Sequence, residues 1–341
     1  MATATSARAG GLPFLTTTEQ KLAAGLALAT VAYGFVSADE VKALRQEEIE
    51  RSGKAQRRPN ADKIQDHPVA SWAITNASVW AAVLAKYKLV GEMDPRESFA
   101  VTFARMVIGN SILVDGSVGV NSILINKVYA HVPFFSDKRL KQTSWDVFVD
   151  YMKCNGFAKL LLGVFQVHGF LKKKTVPEPY GPWRPLRFLA RLVWFRVIVD
   201  VLFWAGHRVL HSKKVYAVGH RTHHEHSATQ LTTNYHFDWW DLVIEAYVPF
   251  IFATASYKKF FGAIDQFDMS LLSTYIFWHE IESHAGKPMP TMPFLAPLST
   301  WTQKFDDFNS WFHEIHHRTL KYNLSITPWF DQLMGTDRWD L

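Results

Sequence analysis

A chain of 341 residues, 48% hydrophobic and 14% aromatic, has material for one large domain or two with a sizeable core. Its single cysteine, Cys154, excludes an intrachain disulfide framework and reads as a small buried hydrophobe in a reducing compartment. The net charge of +6 resides in short clusters such as Arg57-Arg58, Lys138-Arg139, Lys172-Lys173-Lys174 and Lys213-Lys214, several beside apolar runs. That distribution suits an anionic lipid surface; no DNA- or RNA-recognition motif accompanies it, so nucleic acid is not expected as a partner.

In chain order, residues 1–66 read as a disordered start, an apolar helix over 22–36 and a charged linker. The apolar stretch lacks a basic segment before it, so no cleavable signal peptide is expected. Residues 67–185 form a membrane-associated helical region. Within it, 68–85 carries no charge over about the length of a span and is bounded by Lys86 and Lys88. Residues 98–130 alternate apolar runs with Gly, Asn and Asp115 and fix no element. Residues 145–171 show a helical pattern ending in three lysines and a proline-rich loop.

Residues 186–341 differ in kind. A long helix is expected over 186–212, apolar but interrupted by Arg187, Arg191, Arg196 and Asp200, with further apolar helices over 242–257 and 264–279. No strand alternation stands out. The fold class expected is all-α: an integral membrane helical protein with a histidine-rich di-metal cap on the cytosolic side.

Twelve of the fifteen histidines crowd between His207 and His317; His67, His131 and His168 stand alone. The grouped spacings are His207-x3-His211, His220-x2-His223-His224, His279-x4-His284 and His313-x2-His316-His317, with His226 and His236 between them. Residues three or four apart share a helix face, so each box is expected to project together. His279 and His284 would splay on a regular helix, unless the Ala-Gly-Lys-Pro that follows ends it and frees His284 to turn inward. His313-Glu314-x-x-His317 also spells the zinc-protease string. A zinc hydrolase needs three protein ligands and a water, far fewer than these groups offer, whereas two metals with mostly nitrogen ligands fit. Glu-x-x-His occurs here once, so a carboxylate-rich di-iron bundle fits poorly. Asp200 lies seven residues before His207 on the same face and is placed to accept a ring N–H.

Together these boxes resemble the fatty acid hydroxylase superfamily of membrane-bound histidine-box di-iron oxygenases, relatives of sterol methyl oxidases, sterol desaturases and sphingoid hydroxylases. Asp200-x6-His207-Arg208-Val209-Leu210-His211 looks like the first box, His220-Arg221-Thr222-His223-His224 the second, and Tyr235-His236 with Asp238 the additional histidine. Ile281-Glu282-Ser283-His284-Ala285-Gly286 is similar to the stretch between boxes. His313-Glu314-Ile315-His316-His317, with the tail from Lys321-Tyr322-Asn323 to Gly335-Thr336, is similar to the last box. The resemblance spans roughly 186–338. It departs at Glu314, where an aspartate is commoner, and at Lys287, where sterol-type members carry an aromatic.

The resemblance implies two Fe ions, with zinc as a surrogate in purified protein, held by His207, His211, His220, His223, His224, His236, His284, His313, His316 and His317. Asp200, His279, Glu314 and Asn323 are supporting residues or further ligands. The H-E-x-x-H string is then coincidental. The implied activity is O2-dependent oxidation of an unactivated C–H bond of a membrane lipid: a sterol, as in C-4 methyl oxidation, or else a fatty acid or sphingoid base. No dinucleotide motif is present, so electrons are expected from a partner such as cytochrome b5 and an NAD(P)H-dependent reductase. The implied setting is the endoplasmic reticulum membrane, multi-pass. A zinc metallohydrolase and a non-enzymatic metal carrier or transporter are the readings of other classes. Pocket residues are expected from the first half and from Trp204, Trp239 and Trp278.

Overall fold

The computed structural model describes residues 68–92, 94, 96–157, 159–160, 163–164, 181–287, 289 and 309–339. The disordered start, the 22–36 helix, the charged linker, the lysine triplet, His67 and His168 lie outside the described residues. Among those described, every regular element is helical.

The uncharged run becomes α1, Pro68–Leu89, with Lys86 and Lys88 in its last turn, where cations oppose the helix dipole. Helix α2, Phe99–Ile123, starts at Ser98, whose hydroxyl accepts from the Val101 N–H, and continues into a π-helical turn, Leu124–Val128. The stretch that fixes no element in the sequence is therefore one helix. Gly109 lies against the Lys86 side chain, so this glycine lets α1 and α2 approach closely. Phe99–Val128 is long and apolar enough to cross a membrane; among the described residues it alone meets that test, and α1 does not.

Helix α3, Ser144–Tyr151, opens on a capping box between Thr143 and Asp146 and runs into a second π turn, Met152–Gly156. Helix α4, Arg184–Leu210, turns the ionisable residues Arg191, Arg196 and Asp200 inward, all buried, while Leu186, Leu189, Val193 and Val197 form an exposed apolar stripe. After a third π turn, Leu242–Tyr247, helix α5 spans Val248–Phe261; Gly262, at φ +94°, breaks it from α6, Gln266–Ser283. Arg184 bonds Asp265 and Asp268, and Arg191 bonds Asp268 and the Tyr257 hydroxyl, tying the start of α4 to α5 and α6. The core joins Val79, Leu113, Phe195, Val199, Leu272 and Trp278 from α1, α2, α4 and α6. Helices α7, Asn309–Thr319, and α8, Pro328–Met334, complete the cap.

Lys287 is buried, and its ammonium donates to the carbonyls of Ile125 (2.8 Å) and Tyr129 (2.9 Å) while lying over the Phe134 ring. The residue that departs from the aromatic pattern thus fastens the end of the apolar helix to the turn after α6.

Candidate metal centre

Each histidine box reaches the centre by a different local device. His207 lies in the last turn of α4 and His211 caps it. His220 closes a single helical turn at Tyr216–Gly219, and His223–Glu225 is a 3-10 turn. Helix α6 ends at Ser283 and leaves His284 as its cap, as the following Ala-Gly-Lys implies. Gly286, at φ +70°, packs where a Cβ would strike the Thr229 carbonyl, so only glycine closes that turn. Helix α7 carries His313, His316 and His317.

Nine histidines converge in two groups: His207, His211, His220, His224 and His316, and His223, His284, His313 and His317. In both groups the ring nitrogens lie within 4.8 Å of one another. Boxes do not project as single faces, contrary to expectation. The i,i+4 pairs 207/211, 220/224 and 313/317 each share a group, while His223 and His316 cross to the other one. Neighbouring residues on a helix diverge by about 100°, so adjacent histidines serve different groups.

The ring tautomers follow from the partners. A backbone carbonyl can only accept, so each Nδ1 facing one must carry the proton. His207 donates to Leu324 O (2.8 Å), His316 to Tyr322 O (2.8 Å), His317 to His226 O (2.8 Å), His284 to Glu280 O (3.0 Å) and His223 to His236 O (3.3 Å). His220 donates to Asp241 Oδ1 at 2.9 Å. In the neutral rings of His207, His223, His284, His316 and His317, Nε2 is therefore a bare lone pair. Yet the Nε2 atoms of His207 and His220 are 3.0 Å apart, and His316 stands 3.2 Å from both His211 and His224. In the second group, His284 is 2.8 Å from His313 and 3.4 Å from His223. Lone pairs so close, as between His284 and His223, repel unless a cation lies among them. Two nitrogens about 2.1 Å from one ion and roughly at right angles would sit about 3.0 Å apart. The donor set fits two metal ions.

Protonation of His207, His211, His223, His224, His284, His313, His316 or His317 does not supply that positive charge at neutral pH. Burial, and after it the surrounding imidazoles, hold His223, His224, His313 and His317 well below the ordinary imidazole value, and burial takes His316 to about 3. Neutral imidazole is the form a metal needs.

The remaining predicted residues go elsewhere. His236 lies outside both groups: its Nδ1 faces Asp150 (2.7 Å), its Nε2 faces Glu225 (3.2 Å), and its ring stacks on His226. Asp200 does not accept from a histidine; it receives the Thr327 N–H (2.9 Å) and hydroxyl, holding in place the strand of chain whose Leu324 carbonyl orients His207. His279 is buried in α6 outside both groups. Glu314 accepts from the Thr229 N–H (2.7 Å) and hydroxyl (2.6 Å) and pairs with Arg318 (2.6 Å), and its carboxylate belongs to neither histidine group. Asn323, at φ +58°, joins the Phe312 and Arg338 main chains and ligates nothing.

A cavity of about 230 Å³ adjoins the centre. Leu113, Phe203, Phe250 and Phe277 give it apolar walls, and His223, His284 and His313 also line it. No histidine of the five-membered group lines it. The first half contributes Asn110, Leu113, Val114, Asn155 and Lys159, as expected, but the tryptophans do not contribute. Trp204 bonds Asp331 and packs on Phe330, Trp278 bonds Glu282, and Trp239 stacks on Trp240. Sequence reading missed Asp241 and Glu245 beside His220. Neither has a spacing to a box that would reveal it, since only the tertiary fold brings the chain after Trp240 back against α4.

Residues 192–336 match the family model described as fatty acid hydroxylase. Among curated proteins, the chain is 30% identical over 173 residues to very-long-chain aldehyde decarbonylase GL1-8 of Oryza sativa subsp. indica, covering 49% of this chain and 57% of that protein's length. It is 28% identical to methylsterol monooxygenase 2-1 of Arabidopsis thaliana, over 52% of this chain and 66% of the relative. With methylsterol monooxygenase 1 of Rattus norvegicus the identity is 24%, over 67% and 76% of the two chains. No solved structure matches significantly.

Proposed function

Because residues 192–336 belong to the fatty acid hydroxylase superfamily, we propose that this chain is an O2-dependent oxidoreductase that hydroxylates an unactivated C–H bond of a membrane lipid. The observation that carries the reading is the pair of buried histidine groups, one of which lines a largely apolar cavity with three of its rings. Two bound Fe ions would supply activation of O2, a reaction neutral imidazoles and open coordination positions suit. The balance is one C–H and one O2, with two electrons and two protons, giving C–OH and water. The chain's own part is to hold six of the nine rings by their Nδ1 partners, keep bulk water out, and present the lipid. His223, His284 and His313 face the cavity, so substrate meets the four-histidine group first.

A sterol methyl group is the proposed target, supported by two relatives named for methylsterol oxidation. Oxidation of an acyl chain, in a fatty acid or sphingoid base, is the second reading; the relative named for very-long-chain aldehydes favours it. Electrons would come from cytochrome b5 and an NAD(P)H-dependent reductase. The apolar Phe99–Val128 helix and the exposed stripe of α4 support a membrane setting, proposed as the endoplasmic reticulum with the metal cap toward the cytosol. A zinc hydrolase is disfavoured because Glu314, its general base, is engaged by Thr229 and Arg318. A carrier has no use for the apolar cavity beside the second group.

The test is purification in detergent, metal counting, and turnover of a 4-methylsterol beside a long-chain acyl lipid with reductant and O2. Two ions per chain and a hydroxylated sterol are expected. Fewer than two ions, or oxygen uptake coupled only to the acyl lipid, would overturn the metal or the sterol assignment respectively.

A further inference from the structure

Glu245 lies on the π turn Leu242–Tyr247, between the second box and α5. Its Oε1 is 3.6 Å from His207 Nε2 and 3.8 Å from His220 Nδ1. That oxygen is buried and has no hydrogen-bond partner. Among the described residues, only these histidines come within ion-pair distance of it. The His220 Nδ1 proton is already given to Asp241. A buried carboxylate oxygen without donor or cation is costly, so the position calls for a positive centre.

Three other carboxylates nearby have their partners. Asp241 takes His220, Glu314 takes Thr229 and Arg318, and Asp200 takes Thr327. Glu280, which also lines the cavity, has its carboxylate 3.8 Å from His284 Nδ1; Glu245 differs in standing against His207 Nε2, a nitrogen of the five-histidine group, and the chain is built to bring it there. Gly206 precedes His207, and a Cβ on it would meet Ile244 Cγ2 at 2.9 Å. Only glycine lets the turn bearing Ile244 and Glu245 lie against the first box unshifted. The π turn is itself a local departure of the kind that recurs at functional sites.

We propose that Glu245 is the oxygen donor to the ion of the five-histidine group, placed on the side that faces the cavity. The inference rests on the reading that both groups bind metal. As placed, the Glu245 oxygen stands outside the set of five nitrogens that lie within 4.8 Å of one another, 3.6 Å from His207 Nε2, so ligation would take a rotation of its side chain toward that ring. Glu245 also lines the cavity, where none of the five histidines does. It therefore closes the five-histidine ion to the cavity and leaves the four-histidine ion as the open one.

The experiment uses the full chain in detergent, stripped of metal and reloaded with Co2+. Bound cobalt is counted, its visible ligand-field bands are recorded, and its release to a chelator is timed. Wild type is expected to hold two ions. In Glu245→Gln one of the two should leave at least about tenfold faster, with altered bands, while the other leaves at the wild-type rate. Glu225→Gln, on His236 outside both groups, should match wild type. Unchanged release and bands in Glu245→Gln would overturn the assignment. If that variant does not purify, Glu245→Asp keeps the charge and shortens the reach: altered bands support ligation, wild-type bands overturn it. A wild-type chain retaining fewer than two cobalt ions would instead overturn the metal reading beneath.

Discussion

The five-histidine and four-histidine groups use the same ring chemistry and share boxes, yet their surroundings differ. No ring of the first reaches the cavity wall, and Glu245 stands between them; three of four rings of the second form that wall. On the proposed reading a saturated site would hold its metal and an open one would react with what enters, so coordination number and access together would separate the two roles. Sequence proximity does not, because His223 and His224 serve opposite groups.

Removing a cavity-facing ring should have the largest effect. His313→Ala is expected to leave about one ion per chain and to cut lipid turnover by at least ~10²-fold, measured by metal analysis and product formation. His316→Ala should lose the other ion, so that each variant retains what its counterpart lacks. Next, Asp241→Asn takes the carboxylate from His220 Nδ1 and should weaken the five-histidine ion by roughly 10–100-fold, read by chelator competition, with the four-histidine ion unchanged. Val114→Phe narrows the cavity without touching a histidine; kcat/KM for the lipid should fall by roughly tenfold while both ions remain.

Protons sharpen the comparison further. In the metal-free chain His316 is held at about 3, below the ordinary value of 6.5, by burial. Below pH 6.5 the unfolded chain binds more protons than the folded one, so stability is fully present above that pH and declines as pH falls toward 3. Thermal melts of chelated protein over this range should show Tm falling with acid. A melting temperature flat from pH 7 to 4 would contradict neutral buried rings. The smallest effect on the metals is expected from Glu314→Gln, which should cost about 1–3 kcal/mol of stability through Thr229 and Arg318 yet retain both ions. Loss of metal there would restore the H-E-x-x-H glutamate to the site.

The boxes were legible because i,i+4 spacing is a local property: 207/211, 220/224 and 313/317 pair as helical geometry dictates. The division of His220, His223 and His224 was not, since it depends on a turn followed by a 3-10 segment. Helix α2 was hidden by its own Gly109, Asn110 and Asp115. In the fold Gly109 receives the Lys86 stem, and Asp115 meets Lys159 (2.5 Å) and the Tyr151 hydroxyl (3.0 Å), partners far along the chain. His236 lies outside both groups although its neighbours in sequence resemble a box, because Asp150, 86 residues away, faces its ring. Asp200 was placed on the correct face but one layer too close, its hydrogen bonds going to Thr327.

Five of the nine rings take their orientation from main-chain carbonyls, at Leu324, Tyr322, His226, Glu280 and His236. No codon change deletes a carbonyl, so most of the steering of this centre is immune to point substitution. A saturation library should therefore show the histidines as isolated intolerant positions beside permissive neighbours, with Asp241 the exception that drifts only at a cost. Lineages could then rework the cavity extensively and exchange one lipid for another while the metal-binding core stays in register.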